Sequence, residues 1–154
     1  EWLDEEKGWY HPIITDFRRK SQPIIRYRLN DILVASKDNC PCGDAREIIS
    51  SIIGRSEDVF HLPKHDGGTE LVVPDLIRRA IMQMSDKITD YIAIQKSPNK
   101  IEIQLKPDNL EDLSMTGFND LWQSKNIQPP KLDIKPYTHV PSATKLRRIY
   151  RQFN

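Results

Sequence analysis

Cysteine is scarce in this sequence, and long apolar runs are missing from it. The chain has 154 residues and two cysteines, both in the segment Cys40-Pro41-Cys42-Gly43. Two cysteines so close together cannot build the disulfide framework of a small secreted domain, so we expect a reducing, cytoplasmic location. No apolar run exceeds four residues, whereas a membrane-spanning helix needs about 20. The composition therefore predicts a protein without a membrane partner.

Several motifs of self-contained enzymes are also absent. The sequence has only six glycines and no Gly-rich phosphate loop. It has neither the His-Glu-x-x-His helix of zinc hydrolases nor the serine elbow of the α/β-hydrolases. Without these motifs the sequence does not indicate a self-contained enzyme, so any catalytic residues must be dispersed along the chain.

Charge is nearly balanced over the whole chain but unevenly distributed along it. The formal net charge is +1, yet residues 131–154 hold six Lys or Arg and one Asp, a net charge of +5. A basic end suggests an anionic partner, and one interpretation is a non-catalytic binding module that uses this tail. Nucleic acid is not expected, because Tyr150 and Phe153 do not form the aromatic platform on which bases stack.

The order of the predicted elements indicates an α+β fold in two parts. Residues 1–55 show short β-branched or alternating segments separated by turns. After Gly54 the periodicity predicts the order ββαββαβ, with one helix from Pro74, another within 108–126, and a basic tail that could be helical. The domain boundary is predicted at 54–58. The predicted strands lie at 12–15, 23–29, 32–34, 48–53, 59–62, 71–73, 91–95, 101–105 and 132–134.

Two charged residues stand where a nucleotide could bind. Asp31 lies in a turn after a strand, and its two carboxylate oxygens match the adjacent hydroxyls of a ribose. The alternative is an Asx-type turn, in which the carboxylate accepts a hydrogen bond from its own backbone. Arg55 follows Gly54 and offers a forked donor to phosphate or ribose oxygens. Its alternative is a linker whose surface charges form weak ion pairs.

Two further features could carry chemistry. Cys40 and Cys42 could give two thiolates to zinc, with His11 the most plausible third ligand by region. Their spacing is tighter than usual for zinc, and the alternative is two reduced thiols in a loop. Lys145 follows a loop of small residues, so its ammonium group could reach a phosphate, the alternative being a solvated basic tail.

These features form part of a longer ordered pattern. Its segments are residues 15–17, 22–33, 40–43, 52–60, 73–77 and 145–149. In this order they resemble the C-terminal part of the adenylate-forming (acyl-CoA synthetase and ligase) superfamily. Within it, the chain looks most similar to the phenylacetate–CoA ligase-like and CapK-like branch. The resemblance covers nearly the whole chain.

The resemblance implies an ATP-dependent ligase that uses Mg²⁺ and activates a carboxylic acid as an acyl-adenylate, before transfer to CoA or another acceptor. Asp31 would hold the ribose hydroxyls, and Arg55 would add a second nucleotide contact. Glu57 stands where the family usually has an Asp acting as the hinge between two half-reactions. Lys145 would be the catalytic lysine of adenylation.

The resemblance also implies how the chain is divided. Residues 1–56 would be the β-rich end of a large N-terminal domain, and residues 57–154 a small mobile lid in which Gly67-Gly68 approaches the acyl acceptor. The phosphate loop, the adenine-stacking aromatic and the acyl pocket would lie in the large domain, so we expect a fragment that is inactive alone. In some of these ligases a C-x-C pair completes a zinc site with upstream ligands. A degenerate member that keeps the fold without the chemistry is the remaining alternative.

Overall fold

The chain folds into two compact units. The computed structural model describes residues 1–18, 20–138 and 146–153. Unit 1 is Glu1–Ser56 and unit 2 is Glu57–Asn154. The interpretation of unit 1 as the end of a larger domain, and of unit 2 as a lid, stays a prediction.

Unit 1 consists of β-structure. A four-stranded antiparallel sheet has the order β1-β2-β5-β6, and β3 pairs with β4 in a separate two-stranded sheet. The strands are β1 (Trp2–Asp4), β2 (Trp9–Tyr10), β3 (Ile13–Asp16), β4 (Ile24–Arg28), β5 (Asp31–Ala35) and β6 (Ile49–Arg55). Ile32 and Leu33 of β5 are buried, so the four-stranded sheet contains most of the small core of this unit.

Unit 2 is a mixed α+β unit whose first residues belong to a short 3₁₀ helix at Ser56–Asp58. Its main sheet has the order β11-β10-β9-β12, in which β9 and β10 are antiparallel and both outer strands pair in parallel. A separate hairpin joins β7 to β8. The elements are β7 (Phe60–Pro63), β8 (Thr69–Val72), α1 (Pro74–Met82), β9 (Asp90–Ser97), β10 (Lys100–Lys106), α2 (Thr116–Ser124), β11 (Lys131–Pro136) and β12 (Ile149–Arg151).

The core of unit 2 lies where both helices pack on the sheet and the hairpin. Every second residue of β10 (Ile101, Ile103 and Leu105) joins this core, as the side-chain alternation of a strand requires. Gln95 of β9 is completely buried and ties the hairpin to the sheet: its amide nitrogen donates to the carbonyl of His61, 2.6 Å away, and its oxygen accepts from the N–H of His61 at 2.8 Å. The fold class predicted from the sequence is therefore confirmed.

Gly117 allows α2 to approach α1 closely. A Cβ at this position would lie 3.2 Å from the Cα of Ala80 and 3.0 Å from the Cβ of Gln83. Glycine weakens an isolated helix, but here it removes the atom that would separate the two helices. Pro74 occupies the first turn of α1, where its missing N–H costs nothing.

Three sequence predictions about the elements were incomplete or wrong. The second helix was predicted within 108–126 but runs from Thr116 to Ser124; Leu110 and Leu113 pack against the core from a non-helical segment instead. The basic tail contains the strand β12, because Ile149 fills the core beside β9. β1 and β2 were missed, since each has at most three residues. In the described ranges no helix has the length and apolarity needed to cross a membrane.

Candidate functional site

Asp31 and Arg55 are cross-strand partners in unit 1. Asp31 begins β5, Arg55 ends β6, and the antiparallel register places the two residues directly opposite each other. Side chains of directly opposed residues leave the sheet on the same face, with Cβ atoms about 4.5–5.5 Å apart. The two residues predicted to contact a nucleotide are therefore adjacent, although they lie 24 positions apart in the sequence.

Both side chains are available to a ligand. Asp31 is partly buried and Arg55 is exposed. Among the residues that the structure describes, neither side chain has a hydrogen-bonding or ion-pair partner, so the Asx-type turn considered for Asp31 does not form there. A carboxylate beside a guanidinium can accept from two hydroxyls of a ribose while the guanidinium donates to a neighbouring oxygen. The role of this pair in binding a nucleotide stays a prediction.

His11 holds the backbone beneath this pair. Its side chain is only 2% exposed, and its Nδ1 donates to the carbonyl oxygen of Asp31 at 3.1 Å. The carbonyl of the preceding residue, Asn30, accepts from the N–H of Ser56 at 2.8 Å. The sequence marked His11 as a candidate metal ligand, but its burial and its bond to Asp31 give it a structural role.

Glu57 and Asp58 share one arginine in unit 2. Nη1 of Arg147 lies 3.1 Å from an Oε2 of Glu57. Nε and Nη2 of the same guanidinium donate to Oδ1 of Asp58, at 3.1 and 2.5 Å. The predicted hinge residue is thus paired with the basic segment near the end of the chain. Asp58 and Arg147 could not be identified as partners from the sequence, because their bond joins residues 89 positions apart.

The structure does not place every residue of the predicted site. Lys145, the predicted catalytic lysine, lies outside the described residues. Gly67 and Gly68 form the turn between β7 and β8, with φ angles of +89° and +78°, a conformation that glycine adopts without strain. Their predicted role near an acyl acceptor stays a prediction.

Cys40 and Cys42 lie together in the loop between β5 and β6. Their Sγ atoms are 2.7 Å apart. The hydrogen bond from Cys40 lowers the pKa of the Cys42 thiol the most, and the hydrogen bond from the Asp44 N–H lowers it further. Among the described residues no group of three His, Cys, Asp or Glu side chains could hold a metal ion. His11 therefore does not complete a site with the two thiols, and a zinc site would need ligands from elsewhere.

Three of the five described Lys and Arg residues in 131–154 have acidic partners: Lys135, Arg147 and Arg148. Arg147 pairs with Glu57 and Asp58, and Arg148 pairs with Asp90 at 2.9 Å. Burial tends to raise the pKa of Asp90, but the hydrogen bonds from Arg148, the Tyr91 N–H and the Tyr137 hydroxyl, together with the charge of Arg148, outweigh it, and the pKa is lowered. Because these charges are used within unit 2, they give a polyanion fewer groups to bind than the composition suggests.

Lys135 forms a similar pair with Glu102, and we expect it to make the stability of unit 2 dependent on pH. The Glu102 carboxylate is 9% exposed and accepts from Nζ of Lys135 at 2.8 Å, which lowers the pKa of Glu102. A lowered carboxyl pKa stabilises the fold above the unfolded-state value and loses that contribution as pH falls through the folded-state value. Glu102→Gln should cost about 1–2 kcal/mol near pH 7, and the difference from wild type should shrink below about pH 4.5.

Urea denaturation at pH 7 and at pH 3.5 would measure this effect. Asp133→Asn is a suitable control, because Asp133 also contacts Lys135, at 3.5 Å, but is 30% exposed. We expect a smaller loss from it. An equal loss from Glu102→Gln at both pH values would contradict the prediction.

Comparison with known proteins gives matches among solved structures. No protein-family model matches the chain, and no curated protein matches it. A crystal structure of 2-hydroxyisobutyryl-CoA ligase in the postadenylation state, in complex with 2-HIB-AMP, matches with a TM-score of 0.59 and 21% identity, over 95% of this chain and 32% of the ligase. A second crystal structure of that ligase, in complex with R3-HIB-AMP, matches with a TM-score of 0.52 and 19% identity, over 94% and 32% of the two chains.

The chain shares its fold with part of 2-hydroxyisobutyryl-CoA ligase. It spans about a third of the length of the ligase structures that it matches. At this level of identity the match concerns the fold, and the roles of individual residues rest on their own chemistry.

Proposed function

We propose that this chain is the C-terminal portion of an ATP-dependent ligase that activates a carboxylic acid as an acyl-adenylate. The observation that carries the proposal is the pairing of Asp31 with Arg55 on a fold shared with an acyl-CoA ligase. A carboxylate for the ribose and a guanidinium for a neighbouring oxygen are what the sugar end of ATP requires. The phenylacetate–CoA ligase-like and CapK-like branch is a finer assignment that rests on the sequence resemblance.

The residues would divide the reaction between them. Asp31 and Arg55 would orient the nucleotide, and the ammonium group of Lys145 would stabilise negative charge as the acid's carboxylate attacks the α-phosphorus and pyrophosphate leaves. Glu57 would be the hinge about which unit 2 turns before the acyl group passes to CoA or another acceptor. Mg²⁺, when bound, would neutralise phosphate charge.

The apolar surface of unit 1 supports the proposal of a larger domain. Nine large apolar side chains described in this unit are at least 37% exposed. Phe17 is 92% exposed, Ile25 70% and Ile52 68%, whereas unit 2 exposes only Met82 and Ile134 to this degree among its described residues. A surface with this much apolar area is typical of an interface. We propose that a large N-terminal domain of the same protein covers it and supplies the phosphate loop and the acyl pocket.

Acid-dependent exchange of pyrophosphate into ATP would test the function. The full-length protein would be assayed with a panel of carboxylic acids that includes phenylacetate and 2-hydroxyisobutyrate. We expect exchange with at least one of them. A folded full-length protein that exchanges no pyrophosphate with any acid would favour the degenerate or non-catalytic alternative.

We expect Asp31→Ala to raise the KM for ATP about 10- to 100-fold, because a hydrogen bond to a charged group contributes about 1.5–3 kcal/mol. Asp31→Asn should have a smaller effect, since an amide oxygen still accepts from one hydroxyl. Asp120→Ala is the matched control, because Asp120 is exposed on α2. An unchanged KM in Asp31→Ala would remove Asp31 from the nucleotide site.

A further inference from the structure

The two units are joined by a very short piece of chain that is fixed at both ends. On the unit 1 side, the N–H of Ser56 donates to the carbonyl of Asn30 at 2.8 Å, and Arg55 is still part of β6. On the unit 2 side, the carboxylate of Asp58 accepts two hydrogen bonds from Arg147. Glu57 is the residue between these two fixed points.

All three nitrogens of the Arg147 guanidinium group contact Asp58 or Glu57. Its Nε and Nη2 bind Asp58, its Nη1 faces Glu57 at 3.1 Å, and the guanidinium carbon lies 5.3 Å from the centre of the Tyr150 ring. A planar fork that is bound on two edges and stacked over an aromatic ring has one preferred orientation. An ordinary surface ion pair, with one contact between two flexible side chains, lacks this restriction.

The two carboxylates differ in exposure. The side chain of Asp58 is 23% exposed and receives two hydrogen bonds, whereas that of Glu57 is 54% exposed and makes one contact with Arg147. Exposed ion pairs contribute little and break easily. The Asp58 pair is therefore the lasting anchor, and the Glu57 pair is the one that can be released when the backbone at Glu57 turns.

We propose that Arg147 is a positioning residue that confines the hinge to Glu57 and ties the chain just after Lys145 to the same point. The proposal rests on the proposed function. Arg147 follows Lys145 by two residues in the sequence. Because Arg147 and Asp58 both belong to unit 2, rotation at Glu57 carries the segment from Leu146 to Arg148 with it. Arg147 thereby links the angle of the hinge to the segment that directly follows Lys145 in the sequence.

Pyrophosphate exchange by the full-length protein gives the first test. Arg147→Ala should lower kcat about tenfold, because a small misplacement of a catalytic group is costly, and leave the KM for ATP within about twofold, because Asp31 and Arg55 are unaffected. The charge exchange Asp58→Arg with Arg147→Asp should restore at least a third of the lost kcat. Arg79→Ala is the matched control: Arg79 pairs with Asp75 at 2.8 Å elsewhere in unit 2, and its loss should change neither constant.

Hydrogen–deuterium exchange of the same proteins gives a test that is independent of activity. Peptides covering residues 55–60 and 146–150 should exchange about tenfold faster in Arg147→Ala than in wild type or Arg79→Ala. Unchanged protection, or an unchanged kcat in a protein that exchanges pyrophosphate, would overturn the role of Arg147. Faster exchange in a protein that shows no pyrophosphate exchange with any acid would support the anchor and refute the ligase function instead.

Discussion

Lys145→Ala in the full-length protein is expected to lower the rate of acid-dependent pyrophosphate exchange about 10²- to 10³-fold. The ammonium group would stabilise charge that develops only as the α-phosphorus is attacked, and loss of one such group costs about 3–4 kcal/mol of transition-state stabilisation. The KM for ATP should change little, because the interaction is absent from the ground state. Lys145→Arg should retain part of the rate, since it keeps the charge but alters its geometry.

Two controls make this prediction specific. The acyl-adenylate, added to the Lys145→Ala protein with CoA, should be converted at close to the wild-type rate, because the lysine is proposed to act only in adenylation. Lys100→Ala should leave exchange unchanged, since Lys100 pairs with Asp133 at 3.3 Å on the sheet of unit 2. A wild-type exchange rate in the Lys145→Ala protein would remove the lysine from the mechanism.

The residues of the candidate site could be predicted from the sequence, but their placement next to each other could not. Asp31 and Arg55 were identified by their residue types and by the ordered resemblance, but their side-by-side placement depends on the register between β5 and β6. A shift of one residue would send their side chains to opposite faces of the sheet. Local composition does not specify this register, because the loop between the two strands is long and the partners are distant in sequence.

The ion pair between Arg147 and Asp58 could not be predicted from the sequence, for a related reason. Asp58 and Arg147 are 89 residues apart, and charged residues are common on protein surfaces. Their pairing follows from β12 adding to β9, and that strand was missed because Ile149 is the only one of its residues that is fully buried. A single buried residue gives neither a helical nor a strand periodicity.

The second helix was predicted too long for a different physical reason. Leu110 and Leu113 are spaced as if on one face of a helix, and both do pack against the core. They reach it from a segment without helical structure, and the helix begins only at Thr116. The apolar pattern therefore identified the residues that face the core, but not the backbone that carries them there.

Phe118→Ala is expected to destabilise unit 2 by about 3–5 kcal/mol, the cost of a large cavity in a packed core. The Phe118 ring is 1% exposed and stacks on Trp122, with ring centres 5.4 Å apart. Leu110→Ala should cost only about 1–2 kcal/mol, since Leu110 is partly buried and no helix depends on it. Urea denaturation followed by Trp122 fluorescence, with Trp2 and Trp9 replaced by Phe, would compare the two variants in unit 2 alone.

The difference between the stability losses of Phe118→Ala and Leu110→Ala distinguishes the observed helix boundary from the one that periodicity predicted. If a helix ran from residue 108, Leu110 would lie on its apolar face beside the core, and its truncation would cost nearly as much as that of Phe118. With the helix beginning at Thr116, the segment before it can relax into the space that the leucine leaves. Equal losses from Leu110→Ala and Phe118→Ala would therefore contradict the helix boundary, and a difference of at least about 1 kcal/mol is expected.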